Sequence, residues 1–350
     1  MGTVAGRVAR WAGALSALAL TGALLGGCGS PKTTSGPKAT VVIGYENNGA
    51  DPEMVAMARR YFAKYMPGVT VELREFTSGP ASLAALASGS LQFMTGIGNP
   101  PAAAAIGQGV KLELIWAQER YTTDEGLVVR QGSGVHALRD LVNKSLALAV
   151  GSTSSFEVAT ALANAGIPDS AVHIVNMSPP AMVAAWERGQ LSAAYVWDPA
   201  FDTMLHDHGY AIMYDQDVAK QAPIFNIAVV QAKWAKDHRQ LVLGFIRAEQ
   251  AGVAYYKSHP AQAVADMAKE AGISVALAKT ELKGYRILSV QDQLGQEGLG
   301  QGTGVRTALA TVSLQAAAEY LQSIHQIPST TVDMSSYVDP SYARAVAAGQ

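Results

Sequence analysis

VVIGYENNGADPEMVAMARRYFAKY, residues 41–65, is the segment on which the fold turns. Val41-Val42-Ile43 is a short β-branched run that stops at Gly44, and after a loop a helical pattern runs from Pro52 to about Tyr65. Strand followed by helix recurs downstream. Val69 to Leu73, Leu91 to Met94 and Leu112 to Trp116 read as strands, with helical stretches at Ala81 to Ala87 and Pro101 to Ile106 between them. Such alternation predicts parallel strands in an α/β sheet.

A second series begins at Leu127-Val128-Val129. It continues through Leu146 to Val150, Ser154 to Ala165, Val172 to Val175, Pro180 to Arg188 and Ala193 to Val196. After Tyr210 to Met213 the chain passes Pro223, enters the apolar run Ile227 to Val230, and turns almost wholly helical. The predicted helices are Lys233 to Ser258, Pro260 to Ala271, Val275 to Tyr285 and Thr307 to Ile324. In the last, Leu309, Val312, Ala316, Tyr320 and Ile324 are spaced by three or four, as a buried stripe would be. The chain therefore leaves one lobe once and returns once, near Asp124 to Leu127 and near Pro223 to Ile227. The expected division is residues 39–124 and 228–350 in lobe 1 and 125–227 in lobe 2. Two crossings make a hinged clamshell, and a cleft between hinged lobes suits a small ligand.

The N-terminus carries an address. Arg7 and Arg10 precede an apolar stretch from Trp11 to Leu25, which ends on Leu25-Gly26-Gly27-Cys28 with the only cysteine of the 350 residues. A charged n-region, an apolar h-region and small residues read as an export signal, and the ending resembles a bacterial lipobox. That resemblance implies cleavage before Cys28, a diacylglyceryl thioether on its sulfur, and anchoring by acyl chains outside the cytoplasm. A membrane-spanning anchor fits less well, since glycines 22, 26, 27 and 29 interrupt a run barely long enough to span. Residues 29–38, GSPKTTSGPK, read as a flexible tether.

Without residues 1–27 the chain keeps 28 Asp plus Glu against 24 of its 26 Lys plus Arg, a net charge of −4. A basic nucleic-acid footprint is missing. With one cysteine no intramolecular disulfide forms, so stability rests on packing and hydrogen bonds.

Three turns bear on chemistry. Gly151-Ser152-Thr153-Ser154-Ser155-Phe156 follows a strand and opens a helix, where free backbone N–H groups and the positive dipole end can cradle an anion. Phe76-Thr77-Ser78-Gly79 precedes the Pro80 helix and Gly98-Asn99-Pro100 the Pro101 helix; convergence of all three would make one anion site. Each is equally readable as a plain helix cap. Tyr195-Val196-Trp197-Asp198-Pro199 ends another strand: Trp197 is a cleft wall or core, and Asp198 a cation partner or a helix cap. Glu46, Asp51 and Glu125 lie at strand ends or crossings, where they could pair with a ligand amine or remain solvated. No Gly-x-Ser-x-Gly elbow occurs. His206-Asp207-His208 lacks clustered further ligands, so no metal is expected. The glycines at 295, 298, 300, 302 and 304 match no nucleotide-binding fingerprint and read as a mobile loop. Trp186 and Met182 are assigned to the core.

Taken together these residues resemble the taurine-binding family of substrate-binding proteins of ABC importers, part of the nitrate, sulfonate and taurine group. The resemblance runs from Val41 to Val338. It is carried by Ile43-Gly44-Tyr45, Phe76 with Ser78-Gly79, Ala85 to Gly89, Glu125 with Leu127 to Val129, and Ser152-Thr153. More specific are Val175-Asn176-Met177, Pro179-Pro180, Ala184-Ala185-Trp186, Arg188-Gly189, Ala194 to Trp197 with Pro199, and Ser335 to Val338.

It implies a two-lobed type II binding fold, capture of a small sulfonate, delivery to permease subunits powered by a separate ATPase, a monomer, and no catalysis or cofactor. The chain departs from the family where Ser154-Ser155-Phe156 replaces an expected x-His-Tyr. It departs again where Pro223-Ile224-Phe225-Asn226 replaces Pro-Thr-x-Asp, and at Thr77, where relatives carry Asp. An amide supplies no charge to an amine. The expected site therefore has N–H groups near Ser78, Gly79, Asn99 and Ser152 to Ser154 on the sulfonate, Trp197, Phe156 and Phe76 as walls, and Asp198, Asp51 or Glu125 for an amine, with Asn226 beside them. Nitrate, bicarbonate, a sulfonate without an amine or a thiamine-precursor ligand remain alternatives. So do a sensor lipoprotein and, against the export signal, a biosynthetic enzyme of the same fold.

Overall fold

The computed structural model describes residues 39–218, 220, 222–328 and 333–350. The export signal, Cys28 and the tether lie outside the described residues.

Among the described residues eleven strands form two sheets. The first contains β1 (Thr40–Glu46), β2 (Thr70–Phe76), β3 (Phe93–Gly98) and β4 (Leu112–Tyr121), then β10 (Phe225–Gln231) and β11 (Tyr285–Ile287), in the order β11-β4-β10-β3-β1-β2. The second contains β5 (Glu125–Arg130), β6 (Ser145–Leu148), β7 (His173–Asn176), β8 (Ala193–Trp197) and β9 (Gly209–Tyr214), in the order β7-β6-β8-β5-β9. The two lobes are thus two α/β sheets. The chain leaves the first sheet between Tyr121 and Glu125 and rejoins it at Phe225.

The sheets are mixed rather than wholly parallel. β1 is parallel to β2 and β3, and β6 to β7 and β8, as alternation predicts. The two strands that carry the crossings are exceptions, β5 running antiparallel to β8 and β9 and β10 to β3 and β4, and the short edge strand β11 is a third, antiparallel to β4. A chain that passes straight between sheets, with no covering helix, is free to enter against the strand direction.

β10 also explains the core. Phe225, Ile227 and Val229 pack on one face of the first sheet with Leu114, Ile97 and Leu314, while Ala228 and Val230 pack on the other with Phe93, Trp116 and Phe245. A strand buried on both faces reads as a continuous apolar run, because helices cover each side. In the second sheet Val128, Ala194 and Val196 face Trp186 and Phe201, and Leu127, Val129 and Tyr195 face Leu146 and Leu162. Trp186 and Met182 are fully buried there.

Four expectations for the C-terminal part change. The helix expected at Lys233 to Ser258 is two, Ala232–Asp237 and Arg239–Ser258, broken at His238. The helix expected at Val275 to Tyr285 stops at Glu281, because Tyr285 begins β11 on the edge of the first sheet. In the Leu309–Ser323 helix the buried stripe is Ala310, Leu314, Ala317 and Leu321. Leu309, Val312, Ala316 and Tyr320 are half-buried and Ile324 is 36% exposed. Bulk misled the reading there, for small alanines let this helix approach the alanine-rich helix Asn99–Gly107. The glycine-rich loop is pinned: Leu299 and Gly300 donate backbone N–H to the Gln293 carbonyl at 2.8 and 3.0 Å, and Gly298 to Gly300 are buried.

Candidate functional site

Parallel strands deliver their carboxyl ends to one edge of a sheet, and helices begin there, so ligands of such folds collect at that edge. Here the ends of β1, β3, β4, β6 and β8 and the start of β10 face one another across the two lobes. Between them lies a cavity of about 230 Å³ lined by Glu46, Asn48, Gly79, Gly96, Gly98, Pro101, Tyr121, Ser152, Thr153, Trp197 and Asn226.

Three helix N-termini meet at this cavity: Gly79–Ser88, Asn99–Gly107 with Gly98 as its cap, and Thr153–Asn164 with Ser152 as its cap. They are unequal as donors. Pro80, Pro100 and Pro101 lack N–H groups, so the first two ends offer few. In the third, Thr153, Ser154 and Ser155 are consecutive residues whose N–H groups have no partner within the helix. No side chain caps this end. Ser152 Oγ donates to the Ala149 carbonyl at 2.7 Å, while Thr153 Oγ1 and Ser154 Oγ donate to Glu125 Oε1 at 2.9 and 2.6 Å. The hydroxyls are thus turned away and the backbone is left for a ligand.

The opposite wall is polar and acidic. Asn48 Nδ2 donates to the Gly96 carbonyl at 2.8 Å, which fixes the loop after β1. Asn226 Nδ2 donates to Glu119 Oε1 at 2.6 Å and contacts the Tyr121 hydroxyl at 3.0 Å. Glu46, the last residue of β1, is 4% exposed. Burial, and after it the nearby Glu125, push its carboxyl well above the usual carboxylate range, and no hydrogen bond opposes the shift. Burial likewise raises Glu125 to about 8, although Ser154 and Thr153 donate to it, and raises Glu119 despite Asn226. No Lys, Arg or His lines the cavity.

The structure brings Gly79, Ser152, Thr153, Trp197 and Asn226 together around the cavity. Ser78 and Asn99 are buried one residue away from lining positions; Asn99 Nδ2 donates to the Ser313 carbonyl at 3.2 Å. Glu125 and Ser154 stand behind Thr153 as its support. Asp51 lies elsewhere, capping the Pro52–Ala58 helix by accepting from the N–H groups of Glu53 and Met54 at 2.6 and 3.2 Å. Asp198 accepts from the Asp202 N–H at 2.8 Å, at the start of the Ala200–His206 helix. Phe156 packs edge-on against Tyr320 at 5.3 Å. Phe76, Asp198 and the outer side of Trp197 border a wider cleft of about 910 Å³ with Thr77, Pro179 and Pro180. Asn48 and Tyr121 carried no sequence signal. Glu46 carried one, its place at the carboxyl end of a strand. Among the described residues no group of His, Cys, Asp or Glu is arranged to hold a metal; Asp207 instead sits 3.5 Å from Arg130.

Comparison with known proteins gives a consistent picture. Residues 34–271 match the model of the NMT1-like family. The chain is 29% identical over 311 residues to the taurine-binding periplasmic protein of Escherichia coli K12, covering 87% of this chain and 92% of that protein. Its fold is similar to that of the alkanesulfonate-binding protein of Xanthomonas axonopodis pv. citri bound to MOPS, with a TM-score of 0.70 at 19% identity, over 87% of this chain and 99% of that one. A desulfurization enzyme shares the fold at a TM-score of 0.64 and 11% identity, over 89% of this chain and all of that one.

Proposed function

Because the chain belongs to the NMT1-like family, we propose that it is the substrate-binding protein of an ABC importer, which captures taurine or a related small aliphatic sulfonate between its lobes and hands it to permease subunits. The observation that carries this reading is the small cavity with the uncapped Thr153–Asn164 helix end on one side. A tetrahedral anion with three oxygens can accept from successive backbone N–H groups, and the dipole of a twelve-residue helix favours its charge. Closing the lobes excludes water, which strengthens each bond. Neutral donors suffice, so the lack of a cation in the lining is compatible with anion capture.

The shared fold of a desulfurization enzyme keeps catalysis as the competing class. Binding without chemistry is favoured by the lining itself, since the hydroxyl of Thr153 is committed to a carboxylate and no imidazole stands beside it. The lobe division, residues 39–124 and 228–350 against 125–227, and the acylated Cys28 belong to the same proposal. So does a monomer held outside the cytoplasm by its lipid, its tether raising local concentration beside the permease. Among the described residues no helix is long and apolar enough to cross a membrane. Calorimetry with taurine, butanesulfonate and nitrate tests the function: heat with a sulfonate is expected, and none with any sulfonate overturns it.

A further inference from the structure

The cavity has two chemically opposite ends. The second lobe contributes the N–H groups that begin at Thr153, and the first contributes Glu46, Asn48 and Asn226. Glu46 cannot be explained as structure, for it caps no helix and forms no ion pair. It lies at the end of β1, almost wholly buried, and lines a space that holds no cationic side chain. Every titratable group facing it is acidic or neutral: Glu125 from β5, Tyr121 from β4, and Glu119 behind Asn226. A plain anion gains nothing from such a wall and is repelled by it whenever Glu46 is ionised.

We propose, resting on the sulfonate reading above, that Glu46 is the specificity-determining residue of the site, its carboxylate taking the ammonium end of a zwitterionic ligand whose anionic end sits on the Thr153 helix terminus. The preferred ligand class is a short aminosulfonate, with the two charges separated by a few bonds, rather than an alkanesulfonate of equal length. The loss of a carboxylate at position 226 is then offset across the cavity at position 46. Asn226, whose amide is held by Glu119 and the Tyr121 hydroxyl, carries no charge with which to compete for the cation. In the empty protein burial and, after it, Glu125 disfavour the charged form of Glu46, and an ammonium beside it favours that form. When the ammonium arrives the carboxyl O–H breaks, the carboxylate pairs with the intact ammonium, and the proton leaves to solvent. Capture therefore loosens the carboxyl's hold on its proton, and release is the expected sign of proton exchange.

The test is calorimetry on the whole chain with taurine and with propanesulfonate, in which a methyl stands where taurine has its ammonium, in buffers of different ionisation heat near pH 7. A charge-assisted hydrogen bond contributes about 1.5–3 kcal/mol, so taurine should bind about tenfold to a hundredfold more tightly, with proton release for taurine alone. Glu46→Gln should erase both the preference for taurine over propanesulfonate and the proton release. Equal binding of the two ligands by the unaltered protein, without proton release, overturns the role of Glu46 and leaves sulfonate capture standing. Failure of both to bind overturns the functional proposal itself.

Discussion

Gly98→Ala separates closure of the lobes from folding. Gly98 has φ −69° and ψ 161°, a conformation any L-residue adopts, so the substitution brings no backbone strain. The obstacle is the other lobe: a Cβ at position 98 would lie 2.5 Å from Thr153 Cγ2, where ordinary contact is 3.4–4 Å. Relief requires the lobes to part by about 1 Å at this point. That stretches a hydrogen bond of about 2.9 Å beyond useful range. Loss of one charge-assisted bond costs about 1.5–3 kcal/mol, or tenfold to a hundredfold in Kd, about what calorimetry with taurine should read. Thermal unfolding without ligand should be unchanged or slightly raised, since replacing a glycine at a compatible position restricts the unfolded chain. Adding Thr153→Ser removes the clashing methyl and keeps the hydroxyl that donates to Glu125, so the double variant should recover most of the affinity. Gly79→Ala is the contrast: its Cβ would meet Pro101 Cγ at 2.4 Å within the same lobe, so it should lower stability as well. Unchanged taurine affinity in Gly98→Ala, or no recovery in the double variant, would refute the reasoning that the gap between Gly98 and Thr153 sets closure.

Buried carboxyls give the stability an unusual pH dependence. Burial raises Glu125 to about 8 and Asp51, Asp215 and Glu281 each to about 7, against roughly 4 in the unfolded chain. In that window the folded state holds more protons, so stability falls as pH rises. The melting temperature of the ligand-free protein should drop steadily from pH 5 to pH 8; a flat or rising profile would contradict the raised carboxyls. Asp51→Ala removes a cap with two acceptor contacts and should cost about 1 kcal/mol in denaturant unfolding. It should leave taurine affinity alone, because Asp51 does not line the cavity; a large loss of binding would return Asp51 to the site. Cys28→Ser should move the protein from the membrane fraction to the soluble extracytoplasmic fraction, and retention in the membrane would refute lipid anchoring.

Asp51 and Glu46, both read from the sequence as possible partners of a ligand amine, part company in the structure. Asp51 directly precedes Pro52 at the start of a helical pattern, and acid before proline is a local cap signal that needs no knowledge of the rest of the fold. The same locality made the strand ends and the helix starts at Gly79, Asn99 and Thr153 readable, because each is written within a few residues. Glu46 stands five positions before Asp51 in the same loop region, and nothing local says that it meets Thr153 and Asn226. That depends on where β10 inserts, between β3 and β4, and on the antiparallel sense in which it does so. Tyr121 and Asn48 were invisible for the same reason, being held by Asn226 and by Gly96.

The sequence by itself determined the two alternating series of strands and helices and the helix starts at Gly79, Asn99 and Thr153. These follow from side-chain periodicity and turn chemistry, which act over one or two turns of chain. Tertiary structure alone decided which carboxylate faces the cavity and which ones cap helices or stand behind the lining. Burial and charge at a point are set by whichever distant strands are brought there, and the order of strands in a sheet is not a local property.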